Sequence, residues 1–373
     1  MREKLLLVLS LASVALVFAV LISALAPGLL PAYLAPAGAW WVLDLFGYML
    51  AMAVLVSAPL FLGRYLAPTP TGLGVLKSSM IATMAGVVGG LGLVVLGLSE
   101  LLGWEATSQF LALAVVFALV PSLFSWLFSP ILINLIYGCN PDPAIQEIVN
   151  RVAARAGMKP PKAVVATGMR EPNAFAYSSP LFGSYVAVTD GMLSLARGPE
   201  LEAVIGHELG HHKHRDNTVM LIFGLIPSVV YFLGRFLMYS GIYSSSYRYD
   251  GDRERRGGGG LLLLLAGVAL IIVSVIIQLA VLALSRLREH YADAHGAKVT
   301  SPDAMISALA SLDSFYNRHE VARTKVDESK LKMLFIYAFA EPFISLEELL
   351  ATHPPIQRRI AFLRSLKQGQ IEA

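Results

Sequence analysis

AVIGHELGH, residues 203–211, places two histidines four positions apart with a glutamate directly after the first. On an α-helix, positions i and i+4 lie one above the other, so the imidazoles of His207 and His211 can bite one ion. Glu208, one step round the helix, then faces the ion's open position, where a carboxylate can take a proton from a zinc-bound water. The residues before the motif predict the helix this chemistry needs. Pro199 follows Gly198, and Glu200 and Glu202 fall near the positive end of the helix dipole. The competing reading is a solvated helix that carries its histidines by chance, and only the rest of the chain can weigh against it.

Outward from the motif the chain is apolar. Of its 373 residues, 56% are hydrophobic and 15% charged, a composition that points to a membrane protein. Six runs approach the roughly 20 residues needed to cross the hydrocarbon core. Four precede the motif, at 5–26, 39–62, 79–102 and 110–137, and two follow it, at 219–239 and 261–284. Pro59 interrupts the second, and Pro121 and Pro130 the fourth. The first also resembles a signal peptide, with Ala24-Leu25-Ala26 as a cleavage site. Its apolar part exceeds the roughly 7–15 residues of a signal h-region, so it reads as a retained span. Gly86 and Gly90 in the third run suit helix packing within the bundle.

Basic residues set the orientation. Arg2 and Lys4 precede the first run, and Arg64 and Lys77 lie between the second and third, whereas 27–38 and 103–109 carry no Lys or Arg. The positive-inside rule then puts the N-terminus in the cytoplasm and, four spans later, the motif as well. The loop at 243–260 dissents, with Arg248, Arg253, Arg255 and Arg256 on the outer side. The single cysteine, Cys139, excludes an internal disulfide. A net charge of +3 and the lack of a basic block with interleaved aromatics set nucleic acid aside as a partner.

Two histidines do not complete a zinc site, and a third protein ligand is required. The segment after the sixth run, Ser285-Arg286-Leu287-Arg288-Glu289-His290-Tyr291-Ala292-Asp293, offers one. Glu289 and Asp293 share a helix face. Glu289 can give zinc a carboxylate oxygen, and Asp293 can accept the outward N–H of a ligand histidine. Two spans separate His211 from Glu289, so both lie on one side of the membrane, at its boundary. On its own, the segment also reads as ordinary charge at a membrane exit.

Four stretches resemble the HtpX-type membrane metalloproteases, in the larger group that includes the type I C-a-a-X prenyl protease. They are Glu171-Pro172-Asn173-Ala174-Phe175-Ala176; 203–211 with Asp216; Arg286 through Asp293; and Thr352-His353-Pro354-Pro355 with Arg359-Ile360. The resemblance covers about 140–365. It implies one zinc on His207, His211 and Glu289, with Glu208 as base, in the gluzincin arrangement. It makes His353 a candidate donor to the carbonyl oxyanion, with a surface histidine as the plainer reading. Members of that family usually carry two spans before the catalytic region, where four are read here.

Short Val- and Ala-rich segments at 162–168 and 184–189 predict strands of a small sheet, with 173–176 as a possible edge. Asn173 there either binds a peptide group of substrate or stabilises a turn after Pro172. Arg359 is a candidate partner of a site carboxylate such as Asp293. His212, His214, His290 and His295 fall off the ligand face, and 301–317 predicts a further helix.

The expected fold is a mainly α, polytopic membrane protein, a transmembrane helix bundle with a zincin-like catalytic domain that carries a small β-sheet. Residues 1–137 form the transmembrane region, and 138–373 the metalloprotease domain with two embedded spans. The expected function is zinc-dependent endopeptidase action on polypeptides, chiefly membrane proteins in quality control, from a multi-pass protein in the cell membrane with a cytoplasmic site. A dedicated processing protease of membrane-anchored proteins and a scaffold with a structural zinc remain as alternatives. The sequence gives no oligomeric state.

Overall fold

The computed structural model describes residues 70–246, 259–318 and 354–369, together with positions 47, 49, 50 and 53. The predicted run at 5–26 lies outside these residues, as do nearly all of 39–62 and His353. Four helices among the described residues are long and apolar enough to cross a membrane. They are α1 (Leu73–Leu102), α2 (Trp104–Tyr137), α6 (Asp216–Ser246) and α7 (Gly259–Val299).

Each is longer than the apolar run that predicts it. Gly103, at φ 79, is the single residue between α1 and α2, and glycine takes that left-handed conformation without steric cost. The two prolines do not break α2. Pro130 cannot donate to the carbonyl of Trp126, but the Ser129 hydroxyl does so at 3.1 Å. A side chain thus replaces the backbone bond inside an apolar surrounding. Helix α7 spans 41 residues, about 60 Å at 1.5 Å per residue. That is about twice the hydrocarbon thickness. The sixth span and the segment that carries Glu289 are therefore one rigid element.

Helices α6 and α7 touch through their backbones. A Cβ on Gly234 would lie 2.8 Å from the Gly267 carbonyl oxygen, and one on Gly267 would lie 2.5 Å from that of Gly234. Small residues permit this approach where both helices face lipid and no hydrophobic effect drives them together.

The remaining elements are β1 (Cys139–Pro141), α3 (Pro143–Ala156), β2 (Lys162–Ala166), β3 (Ala174–Ser179), β4 (Gly183–Thr189), α4 (Asp190–Leu195), α5 (Pro199–Lys213), α8 (Pro302–Arg318) and α9 (Ile356–Gly369). The sheet runs β1-β2-β4-β3. Strands β2 and β4 are parallel, with Val164 opposite Ala187, and the two edge strands are antiparallel. The segments expected at 162–168 and 184–189 are β2 and β4, and β3 forms an edge as read. Strand β1 has three residues, one of them proline, too few to show alternation. Helix α3 is capped by Asp142, whose carboxylate accepts from the Ile145 N–H at 2.9 Å. It buries Val149 and Val152 with Val186, Val188, Ile205 and Leu209 between the sheet and α5. Burying Ile205 or Leu209 contributes about 1.5–3 kcal/mol each, which fixes α5 against the sheet.

Candidate metal centre

Helix α5 begins as the sequence predicts, with Pro199 in its first turn after Gly198 at φ 55. One face carries Leu201, Val204, Ile205 and Leu209 into the core. Another lies on α7 along a seam of small residues. A Cβ on Gly296 would stand 2.9 Å from the Ala203 carbonyl oxygen and 3.1 Å from the His207 nitrogen. One on Gly210 would stand 3.1 Å from the Ala292 Cα. The glycines before His207 and His211 thus let the two helices approach until their side chains share one space.

In that space lie His207, His211 and Glu289, with one ligand atom from each within 4.8 Å of the others. His207 and Glu289 are each 5% exposed. The two Nε2 atoms are 3.1 Å apart, and Glu289 oxygens lie 3.5 and 3.4 Å from them. Each ring turns its Nδ1 to a carboxylate: His207 to Asp293 at 2.9 Å, His211 to Asp216 at 2.7 Å. With the Nδ1 of each ring engaged by a carboxylate, both Nε2 atoms are left facing one another and Glu289, where they can turn lone pairs to an ion. Two imidazole nitrogens and a carboxylate that converge in this way fit a cation, and such a donor set suits zinc. Burial opposes charge on the His207 ring. Hydrogen bonds to Asp293 and Glu289 outweigh it and push its pKa up to about 10, so a cation bound there would displace a proton from this ring, whereas burial lowers the pKa of His211 despite Glu289. Glu208, also buried, is the next residue on α5.

Each carboxylate behind a histidine is in turn held by an arginine. Arg359 of α9 donates to Asp293 through Nε at 2.8 Å and Nη2 at 2.6 Å, so the pairing expected from sequence is formed. Arg288 donates to Asp216 and, at 2.8 Å, to the His214 carbonyl. This second support was not read from the sequence as a pair. Asp216 is five positions past His211, across a turn in which Arg215 adopts φ 53. That left-handed residue reverses the chain and returns Asp216 to the ring. Helical spacing cannot announce such a contact, although Asp216 stands in one of the stretches that carry the family resemblance.

His212, His214, His290 and His295 sit off the ligand face, as expected. His212 donates to the Tyr185 carbonyl at 2.8 Å, which ties α5 to β4. His214 stacks on Tyr291 with ring centroids 3.9 Å apart. Burial, then the proximity of His295 and Arg288, lowers its pKa to about 4. His295 meets the Gly206 carbonyl at 3.0 Å and His290 packs on Phe362. Asn173 stands at the start of edge strand β3, and its side-chain oxygen accepts from the Ala174 N–H at 3.0 Å. That is the local, turn-like use weighed above. Tyr316 of α8 holds the same corner by donating to the Pro172 carbonyl.

Residues 140–367 match Peptidase family M48. The chain is 47% identical over 282 residues to a protease HtpX homolog of Pyrobaculum calidifontis, covering 70% of this chain and 79% of the other. It is 43% identical over 270 residues to one of Archaeoglobus fulgidus (68% and 76%), and 40% over 315 residues to one of Aeropyrum pernix (77% and 96%). Among solved structures it is similar to the crystal structure of S. mikatae Ste24p, with a TM-score of 0.48 and 17% identity, over 86% of this chain and 75% of that one. The matched region holds every element of the histidine–carboxylate site, and the long apolar helices flank and traverse it. The chain belongs to peptidase family M48, as a multi-pass membrane metalloprotease.

Proposed function

We propose that this protease depends on one zinc ion held by His207, His211 and Glu289, and that Glu208 is its general base. The observation that carries this reading is the convergence of two histidine Nε2 atoms and a carboxylate, each ring locked from behind, with a second buried carboxylate one residue along. Zinc bound there would polarise the scissile carbonyl and acidify a water. Glu208 holds the proton taken from that water and returns it to the leaving amine. Asp293 and Asp216 fix the ring tautomers, while Arg359 holds the Asp293 carboxylate in its ionised form and Arg288 holds Asp216 in place. His353 is proposed as a donor to the oxyanion. The β3 edge, entered at Asn173, is proposed to take substrate as an added strand.

Substrates in this reading are membrane polypeptides cleared in quality control. The site's position supports it, because His211 lies just before membrane helix α6 and Glu289 on the extension of α7. The distribution of Lys and Arg around the N-terminal runs supports a cytoplasmic site. The family match, which starts at residue 140, supports a division near 137/138.

Chelation tests the metal dependence. Detergent-purified protein that cleaves casein should lose that activity on dialysis against a strong chelator and regain it on adding zinc. Cleavage that continues in metal-free protein would overturn the reading. A zinc-loaded protein with four protein ligands would favour the structural-site alternative.

A further inference from the structure

The turn between β3 and β4 reads Ser179-Pro180-Leu181-Phe182-Gly183, and no charged residue occurs from Pro172 to Thr189. Leu181 at its tip is 60% exposed, an unusual place for a large apolar side chain on a polar surface. Its surroundings are not polar. The Phe182 ring lies 6.2 Å from that of Phe128 on membrane helix α2, and Phe128 lies 4.7 Å from Phe124, which is 61% exposed.

Contacts along the hairpin give its direction. The Tyr177 hydroxyl meets Asn134 of α2 at 2.5 Å. Five residues later Phe182 is beside Phe128, six residues back along α2, or about 9 Å at 1.5 Å per residue. The hairpin therefore runs down α2, away from its Tyr137 end and towards its middle. Helix α6 gives the same level. Asn217, its second residue, donates to Ser178 at 3.3 Å, so Ser178 is level with the helix entry and Leu181 lies beyond it. The exposed apolar face of α2 also continues back past the tip, at Ile131, Leu135 and Ile136, with Leu135 78% exposed. The tip thus lies deeper along α2 than side chains that themselves need an apolar surrounding.

We infer that Pro180, Leu181 and Phe182 dip into the bilayer and anchor the β3–β4 hairpin in lipid. The occupant of this surface is the acyl region next to the headgroups, because the tip is continuous with the lipid-facing side of a membrane-spanning helix. Through the ladder from Ala174–Val188 to Ser179–Gly183, each strand pairs the backbone groups that face the other. Phe182 N–H is held by the Ser179 hydroxyl at 3.1 Å, which lowers the cost of placing a turn at this depth. The anchor fixes edge strand β3 at the membrane boundary beside α5. This inference stands on the membrane setting alone and does not depend on the proposed zinc chemistry.

Fluorescence quenching in vesicles tests it. With Cys139 replaced by serine, single cysteines are introduced as Leu181→Cys, Phe124→Cys and Lys159→Cys, the last in an exposed loop before β2. Each is labelled with an environment-sensitive dye, and the full chain is reconstituted in phosphatidylcholine. A nitroxide on the lipid acyl chain should quench the label at 181 as it does at 124, with a blue-shifted emission, while iodide quenches only the label at 159. Quenching at 181 by iodide and not by the nitroxide would overturn the inference. Protection at 181 from both would also overturn it, since a protein surface such as a second copy would then cover the tip.

Discussion

Glu289→Ala is expected to empty the site of zinc and to abolish hydrolysis. Both histidines would keep their orientation, because Asp293 and Asp216 hold the outward nitrogens independently of Glu289. What is lost is a carboxylate whose two oxygens approach the two rings, one 3.5 Å from the His207 Nε2 and the other 3.4 Å from the His211 Nε2. Two neutral imidazoles leave the ion without charge compensation and one ligand short. Removing an outer partner of a zinc ligand typically costs about 10–100-fold in affinity, so loss of a direct ligand should exceed about 100-fold. Chelator competition on purified protein measures it. Unchanged zinc affinity in Glu289→Ala would remove Glu289 from the ligand set.

Gly296→Val is expected to disable the site without touching a ligand. Even the first carbon of a side chain there would meet the Ala203 carbonyl oxygen at 2.9 Å and the His207 nitrogen at 3.1 Å. Both belong to the backbone of α5 and cannot rotate away, so α5 and α7 must separate. Such overpacking typically costs about 1–3 kcal/mol. The functional loss should be larger than the loss of stability, because His207 and His211 lie on one of the parted helices and Glu289 on the other. Gly97→Val is the control, since nothing stands within 4 Å of a Cβ there. Thermal unfolding and zinc content should fall in Gly296→Val and hold in Gly97→Val. Equal zinc content in the two variants would mean that the seam does not set the ligand geometry.

What could be read from sequence follows periodicity. The pair His207 and His211 and the pair Glu289 and Asp293 are each spaced by one helical turn, so their shared faces were visible at once. The apolar runs marked the membrane helices but underestimated them. A helix continues past the point where its side chains turn polar, and the last third or so of α7 does so from Ser285 to Val299. Pro130 looked like a break because the sequence does not show that Ser129 takes over the freed carbonyl. The Asp216–Arg288 support was hidden for a different reason. It joins residues 72 positions apart through a left-handed turn at Arg215, and neither member stands at a telling interval from the motif. Arg359 was legible only as a candidate, because its contact with Asp293 crosses from α9 to α7.

Glu208→Gln tests the central claim most directly. The amide keeps the size and the hydrogen-bonding oxygen of the carboxylate but cannot take a proton near neutral pH. It also leaves His207, His211 and Glu289 in place. General acid–base catalysis contributes about 100- to 10,000-fold. Casein cleavage by the detergent-purified variant should therefore fall by at least about a hundredfold, with zinc content equal to that of the wild type. Cleavage at the wild-type rate by zinc-loaded Glu208→Gln would contradict the account.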